Sequence, residues 1–270
     1  MVRAPLLLAL FMPSLSSACL TDRSQHVTAW PPPDFSLVVE EHQVELRDGV
    51  ARSYVRRRLR VWADGAAVYG KASGAIEDPI TGATLPVFRG LAAWQMRPES
   101  TRGLARKLHL KGVLSLAAFE GTGAMNPAGG SGVRLQYRAF GNDKVVAMAG
   151  QVAGNAARVL QVINSHLPAG EGFLLPGVPA DHLSCVDAPA PVEDLNGALV
   201  WHVELAAHRS SDAMVCLDLF ALACRAKERQ TAVGMIDRWQ AAQAAAADEP
   251  GTATPGLLTR DVLERMLPDS

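Results

Sequence analysis

The stretch Val133-Arg134-Leu135-Gln136-Tyr137-Arg138-Ala139 decides the predicted fold, because apolar and polar residues alternate along it without exception. Successive side chains of a strand point to opposite faces of a sheet, so this alternation predicts a strand with one buried face. Gly141-Asn142-Asp143 predicts a turn, and the β-rich run 144–149 predicts the returning strand. A β-hairpin is therefore expected over 133–149.

An amphipathic helix is predicted directly after this hairpin. Asn155 can cap it and Pro168 ends it. Between them, apolar residues recur at helical spacing: Ala156, Val159, Leu160, Ile163 and Leu167. This helix would bury its apolar side against the hairpin.

The chain before the hairpin predicts more strands. Runs with turn residues between them predict an antiparallel meander over 35–46, 50–62 and 66–71, and a further strand over 87–96. A short helix carrying Leu104 and Leu108 follows. This order predicts an α+β fold, in which helices pack on one face of an antiparallel β-sheet.

The last third of the chain predicts a C-terminal strand and a long helix. Proline and glycine are frequent in 169–197, which predicts a connecting segment. Alternation over 199–207 predicts the strand, and Ser210 or Ser211 can cap the helix, although the apolar run 215–223 also fits a strand. The predicted organisation is a signal peptide (1–18), a proline-rich tether (19–33), an α+β domain (34–168), the connecting segment (169–197) and a strand-helix region (198–270).

Composition favours a folded protein. Of the 270 residues, 49% are hydrophobic and 20% are charged, which are ordinary values for globular domains. A formal net charge of -1 provides no strong overall attraction to nucleic acid, so no nucleic-acid partner is expected.

The N-terminus predicts export. Residues 1–18 contain one charge, Arg3, followed by a short apolar run and then small residues, the pattern of a signal peptide. Leu15-Ser16-Ser17-Ala18-Cys19 resembles the lipobox of bacterial lipoproteins, although its leucine stands four residues before the cysteine instead of three. The resemblance implies a lipid on Cys19 that anchors the chain to a membrane, while simple cleavage and secretion stay open. The predicted location is the periplasm or the outer membrane, with an unidentified envelope partner or ligand.

Export draws attention to the remaining cysteines, because disulfides persist in oxidising compartments. Cys216 and Cys224 are eight residues apart. On one helix this separation is about 12 Å of rise, beyond disulfide reach. Any bridge would then use Cys185, and free buried thiols are the alternative.

A metal site is one functional hypothesis. His202 and Glu204 would share a face of the predicted strand, and His208 just beyond it could complete three zinc ligands. The alternative is a solvated strand face.

An acid-base site is a second hypothesis. His166, Glu171, Asp181 and His182 surround the proline-rich segment and could converge in a cleft. The alternative is that His166 interacts with the last carbonyls of its helix.

A cationic surface patch is a third hypothesis. In a regular strand over 50–62, basic and aromatic side chains share one face: Tyr54, Arg56, Arg58, Arg60 and Trp62. This stripe could meet an anionic lipid, a glycan or an acidic partner. The alternative is that Glu40, Glu41 and Glu45 on the neighbouring strand balance it.

Four stretches together resemble a class of bacterial exported and lipoprotein domains of unknown function. They are Pro32-Pro33-Asp34-Phe35-Ser36-Leu37, Trp62-Ala63-Asp64-Gly65, the helix at Leu104, and Val162-Ile163-Asn164-Ser165-His166-Leu167-Pro168. In that class a hairpin is followed by a leucine-rich helix, a second hairpin and a closing helix. The resemblance covers about 32–168 and implies no activity or site residue.

The sequence therefore predicts an exported cell-envelope protein with a non-catalytic binding or structural role. The alternative is an envelope hydrolase with a metal or acid-base site near His166, His182, His202, Glu204 and His208.

Overall fold

A seven-stranded sheet forms the centre of the computed structural model, which describes residues 30–47, 50–122, 130–179, 188–191, 194–246 and 258–268. The strands are β1 (Ser36–Arg47), β2 (Val50–Trp62), β3 (Ala66–Glu77), β4 (Thr84–Gln95), β5 (Phe119–Glu120), β6 (Gly130–Ala139) and β7 (Asn142–Ala149). Their order is β4-β3-β2-β1-β6-β7-β5, and only the short β5 pairs in parallel. The predicted α+β class with an antiparallel sheet is confirmed.

Six α-helices accompany the sheet in the described residues. They are α1 (Pro98–Leu110), α2 (Gly154–Asn164), α3 (Leu195–His208), α4 (Ala213–Ala226), α5 (Arg229–Ala246) and α6 (Arg260–Arg265). No described helix combines the length and the apolar character that a membrane span requires.

The hairpin of β6 and β7 joins the meander by pairing with β1. Tyr137 lies opposite Leu37, and Leu135 lies between Val39 and Val146. These side chains are fully buried, because the alternation along β6 points them all to the same side of the sheet. The hairpin predicted from this alternation is confirmed.

We call the surface that carries these side chains the apolar face of the sheet. Leu59 and Tyr69 continue it on β2 and β3. The ring of Phe173 contacts Tyr69 at a centroid distance of 6.4 Å, and the Asn164 side chain at the end of α2 hydrogen-bonds to the Phe173 backbone. The second helix thus lies on this face, and α1 packs against it.

We call the opposite surface, over β2, β3 and β4, the arginine face. Arg58, Arg60 and Trp62 of β2 point to it, and Val68 of β3 belongs to a buried cluster with residues of α4, α5 and α6. The C-terminal helices therefore cover the side of the sheet opposite α2. The sequence did not predict this second layer.

The predicted C-terminal strand over 199–207 is wrong, because these residues belong to α3. The Asp194 side chain caps this helix by accepting hydrogen bonds from the backbone N–H groups of Asn196 and Gly197. Buried positions recur every fourth residue, at Ala198, His202 and Ala206. Because most residues of 199–207 are apolar, its apolar residues also fit the two-residue alternation of a strand, although the stretch is helical.

The alternative left open for 215–223 is settled as helix, within α4. Asp212 caps it by accepting from the N–H groups of Met214 and Val215, and Lys227 ends it in the left-handed conformation with φ of 61°. The helix α5 is consequently a separate element and not an extension of α4. From Pro31 onward the chain groups as one compact unit; the domain boundaries at 168 and 198 stay predictions.

Candidate functional site: two buried charge clusters

A β-bulge in β2 decides which side chains meet on each face. Glu41 of β1 lies opposite Arg57, but the next residue, His42, lies opposite Val55, so Arg56 is an extra residue without a cross-strand partner. The bulge reverses the alternation, and Val55 packs against the core cluster of the arginine face. Tyr54 therefore points to the other face, and the predicted stripe is wrong in placing it with Arg58.

A cluster of charges is buried on the arginine face around Arg58. Its Nε donates to Glu40 Oε1 at 2.8 Å and its Nη1 to Asp218 Oδ1 at 2.6 Å, while its guanidinium lies 4.7 Å from the centre of the Phe88 ring. The His42 ring approaches the second oxygen of Glu40 at 3.3 Å. One cation thus joins two carboxylates from the sheet and from α4.

This environment changes the ionisation of its members. Burial raises the pKa of Glu40, but the positive charge of Arg58 and the His42 hydrogen bond outweigh it and hold the pKa at about 2. Burial lowers the pKa of Arg58, and the charges of Asp218 and Glu40 more than reverse this. The pair is therefore ionised at neutral pH.

His202 lies beside this cluster and is 1% exposed. Its Nδ1 is 3.1 Å from the Ala198 carbonyl, one turn earlier in α3. Burial lowers the pKa of His202, although the nearby Asp218 charge opposes the shift. A neutral ring that donates within its own helix has a structural role.

Three more arginine-carboxylate pairs connect the sheet or its turns to the C-terminal helices. Arg60 binds both oxygens of Asp212, at 3.1 and 2.6 Å, next to the Trp62 ring. The other two are a pair between Arg209 and Asp64 and a bidentate pair between Arg265 and the buried Asp78, at 2.8 Å for both bonds. Each pair fixes one helix or helix end to the sheet.

A second cluster is buried on the apolar face, at its polar end. Glu41, Arg57 and Lys71 form a row across β1, β2 and β3, and Arg57 Nη1 lies 3.2 Å from Glu41 Oε2. Glu171, from the segment after α2, is ion-paired to Lys71 and accepts a hydrogen bond of 2.6 Å from the Tyr69 hydroxyl. Two carboxylates and two cations balance each other here.

The chemistry open to this second cluster follows from its partners. Burial and the hydrogen bond to Glu171 raise the pKa of Tyr69 well above its usual range, so its hydroxyl stays a neutral donor. Arg57 also donates to the Gly172 carbonyl at 2.9 Å. The cluster attaches the segment after α2 to the sheet, and it reaches solvent through Lys71, whose side chain is 34% exposed.

The structure places His166 and Glu171 of the acid-base hypothesis in two different environments. His166 Nδ1 is 2.8 Å from the Val162 carbonyl, which is the alternative role considered for this residue at the end of a helix. Burial lowers the pKa of His166. Glu171 belongs to the second cluster, and Asp181 and His182 lie outside the described residues.

The three zinc ligands of the metal hypothesis are not brought together. The helix that replaces the predicted strand buries His202 and exposes Glu204 and His208 on another side. Within the described ranges, no group of three His, Cys, Asp or Glu residues is arranged to hold a metal ion.

The arginines of the predicted cationic patch do not form one exposed stripe either. Arg58 and Arg60 are paired to α4, Trp62 Nε1 lies 3.4 Å from Asp212, and Arg56 alone of the three arginines is exposed. Glu40 provides part of the balance that the sequence suggested, and Glu41 instead pairs with Arg57 on the other face. The contributions of Asp212 and Asp218 were not anticipated.

Among the remaining predicted positions, Cys216 and Cys224 are free and buried within α4. Burial raises the pKa of Cys224 to about 12, so this thiol is unreactive. Cys19 and Cys185 lie outside the described residues.

A shallow groove of about 300 Å³ lies between α3 and the sheet. Trp201 and Leu205 form one wall, and Ala66, Val68 and Ala93 form the floor. Its lining offers apolar contact and no charged group.

Comparison with known proteins adds no assignment to this geometry. No protein-family model matches the chain, and no curated protein sequence matches it.

Proposed function

We propose that this chain is an exported protein of the bacterial cell envelope, anchored by a lipid on Cys19, with a binding or structural role and no catalysis. The anchor would hold it in the periplasm at the outer membrane. The sequence support is the signal-like stretch 1–18 and the small residues before Cys19.

The observation that carries the non-catalytic part is the internal pairing of buried charges. Apart from Tyr and Trp, nine polar or charged side chains are buried in the described part of the chain, and each has a hydrogen bond or ion pair within the protein. A catalytic acid or base must reach a proton of its substrate. Side chains that hold helices to a sheet favour a stable scaffold instead.

The lipid anchor can be tested by metabolic labelling with a radioactive fatty acid. We expect the wild-type chain to incorporate label and Cys19→Ser to incorporate none, because the thiol is the acceptor atom. Cys216→Ser is the matched control, since this thiol is buried in α4, and it should label like the wild type. Equal labelling of the wild type and Cys19→Ser would contradict the anchor.

A further inference from the structure

The exposed side of α1 is strongly basic. From Arg97 to Lys111 the chain carries five Lys or Arg residues and one acidic residue, Glu99. Leu104, Ala105 and Leu108 face the core. Arginine and lysine side chains therefore cover the solvent side of the helix: Arg102, Arg106 and Lys107, with Lys111 following its end.

Four exposed basic side chains, three at α1 and one on α2, have no acidic partner in the described part of the protein. Arg106, Lys107 and Lys111 form no ion pair there, and neither does Arg158 on the exposed side of the neighbouring α2. The arginines of the arginine face differ, since each of them contacts a carboxylate. With a net charge of -1 for the whole chain, this surface is a local excess of positive charge.

An exposed apolar side chain lies within this basic surface. Leu110 is 70% exposed at the last position of α1, between Leu108 in the core and Lys111 in solvent. A leucine among basic residues on a helix is typical of surfaces that bind the interface of an anionic membrane.

The same end of α1 lies beside the place where the chain enters the fold. The Asp34 carboxylate accepts hydrogen bonds from the backbone N–H groups of Phe140 and Gly141, at 2.9 and 2.6 Å, in the β6–β7 turn. The Phe140 ring in turn contacts the His109 ring of α1 at 6.2 Å. The proline-rich entry and the basic end of α1 are therefore neighbours through one turn.

We infer that the basic side of α1, with Leu110, docks on the surface of a bilayer rich in anionic phospholipid. The inference rests on the proposed function in one respect, namely that a lipid on Cys19 would keep this end of the fold at a membrane. Eleven residues lie between Cys19 and Pro31, and at roughly 3.5 Å per residue this stretch reaches about 40 Å at most. Each Lys or Arg near an anionic surface adds to the attraction, and the attraction weakens with salt.

Vesicle partitioning tests the docking surface separately from the anchor. The full chain carrying Cys19→Ser is mixed with vesicles of about 30% phosphatidylglycerol in phosphatidylcholine, or of phosphatidylcholine alone, at about 0.05 M and 0.5 M salt. We expect at least about tenfold tighter binding to the anionic vesicles at low salt, and loss of this preference at high salt. The readout is the change in this preference between a charge variant and its control, because the signal sequence, with Arg3 and an apolar run, is the same in every variant and contributes equally to all of them.

The decisive variant is Arg106→Glu with Lys107→Glu, which should remove most of the preference for anionic vesicles. The control is Arg225→Glu with Arg238→Glu, which makes the same change in net charge at exposed positions of α4 and α5 and should keep the preference. Melting temperatures of both variants verify that they fold. Equal binding to both vesicle types, or equal loss in the control, would overturn the inference, as would binding of soluble dextran sulfate without binding of vesicles.

The two proposals fail separately. Since the Cys19→Ser chain cannot carry the lipid, absence of vesicle preference would leave the labelling of Cys19 unaffected. Retained preference without any labelling of the wild type would remove the anchor and leave a peripheral membrane protein.

Discussion

The two faces of the sheet both bury apolar side chains, but one of them also buries charged side chains of β2. Along β2, Leu59 and Val61 point to the apolar face and are at most 1% exposed, whereas Arg58 and Arg60, which alternate with them, point to the arginine face. Apolar contacts on the first face are favourable in many arrangements. Ion pairs on the second are favourable only when donor and acceptor are aligned.

Side chains on the two sides of β2 therefore contribute to the fold in different ways. Both faces bury apolar side chains, and on the arginine face Arg58 and Arg60 also specify where α4 lies, since they bind Asp218 and Asp212 on that helix and at its cap. Buried ion pairs contribute little net stability compared with apolar side chains of the same shape, but breaking one is costly. We therefore expect the arginine face to be more sensitive to a single substitution.

The largest expected effect is that of Arg58→Leu. The variant leaves the carboxylates of Glu40 and Asp218 buried without their shared cation, and we expect it to lower the free energy of unfolding by about 4 kcal/mol. Urea denaturation followed by tryptophan fluorescence would measure it. Arg56→Leu is the matched control, because Arg56 is exposed in the bulge, and it should change stability by less than about 0.5 kcal/mol. Wild-type stability in Arg58→Leu would show that the cluster does not hold α4 in place.

A somewhat smaller effect is expected on the other side of the same strand. Leu59 is 0% exposed, and Leu59→Ala should lower the free energy of unfolding by about 3 kcal/mol through lost burial and a residual cavity. This loss involves no charge, so it should be the same at low and high salt in denaturation experiments. A loss that varies with salt, or one below about 1 kcal/mol, would contradict the division between the two faces.

Local patterns in the sequence were sufficient to locate β1 to β4 and the hairpin over 133–149, but they missed the second half of β3 and the short β5. They failed at Tyr54 because one inserted residue, Arg56, reverses the alternation, and nothing in the residue types of β2 marks this insertion. They failed over 199–207 because apolar residues at most positions hide the period of four, and Asp194 as a cap was the remaining signal for a helix.

The charge clusters were beyond local patterns for a different reason. Arg58 and Arg60 stood out in the sequence, but their partners Asp218 and Asp212 lie 160 and 152 residues away along the chain. Tyr69 and Glu171 are separated by 102 residues. Such pairs depend on how α4 and the segment after α2 pack on the sheet, so an unpaired basic stripe was the natural hypothesis from one strand alone.

The basic side of α1 was visible in the sequence as five basic residues around a helix with Leu104 and Leu108, but it was not singled out there.

Acid sensitivity gives the smallest of the expected effects and isolates one carboxylate of the arginine face. The pKa of Glu40 is about 2 in the folded chain and about 4.5 ordinarily, so its contribution to stability is fully present above pH 4.5 and is lost as the pH falls toward 2. Between pH 6 and pH 3 this loss is about 2 kcal/mol.

Glu40→Gln removes the titrating group but keeps the pair between Arg58 and Asp218, so its stability should fall by about 2 kcal/mol less than that of the wild type over the same interval. The pKa values of Asp78 and Asp212 are also lowered, mainly by Arg265 and Arg60, and both residues remain in the variant, so the difference between the two titrations belongs to Glu40 and its contacts with Arg58 and His42. Parallel pH profiles of the two proteins in urea denaturation would mean that Arg58 does not hold Glu40 ionised, and the arginine face would then owe its rigidity to apolar packing like the other face.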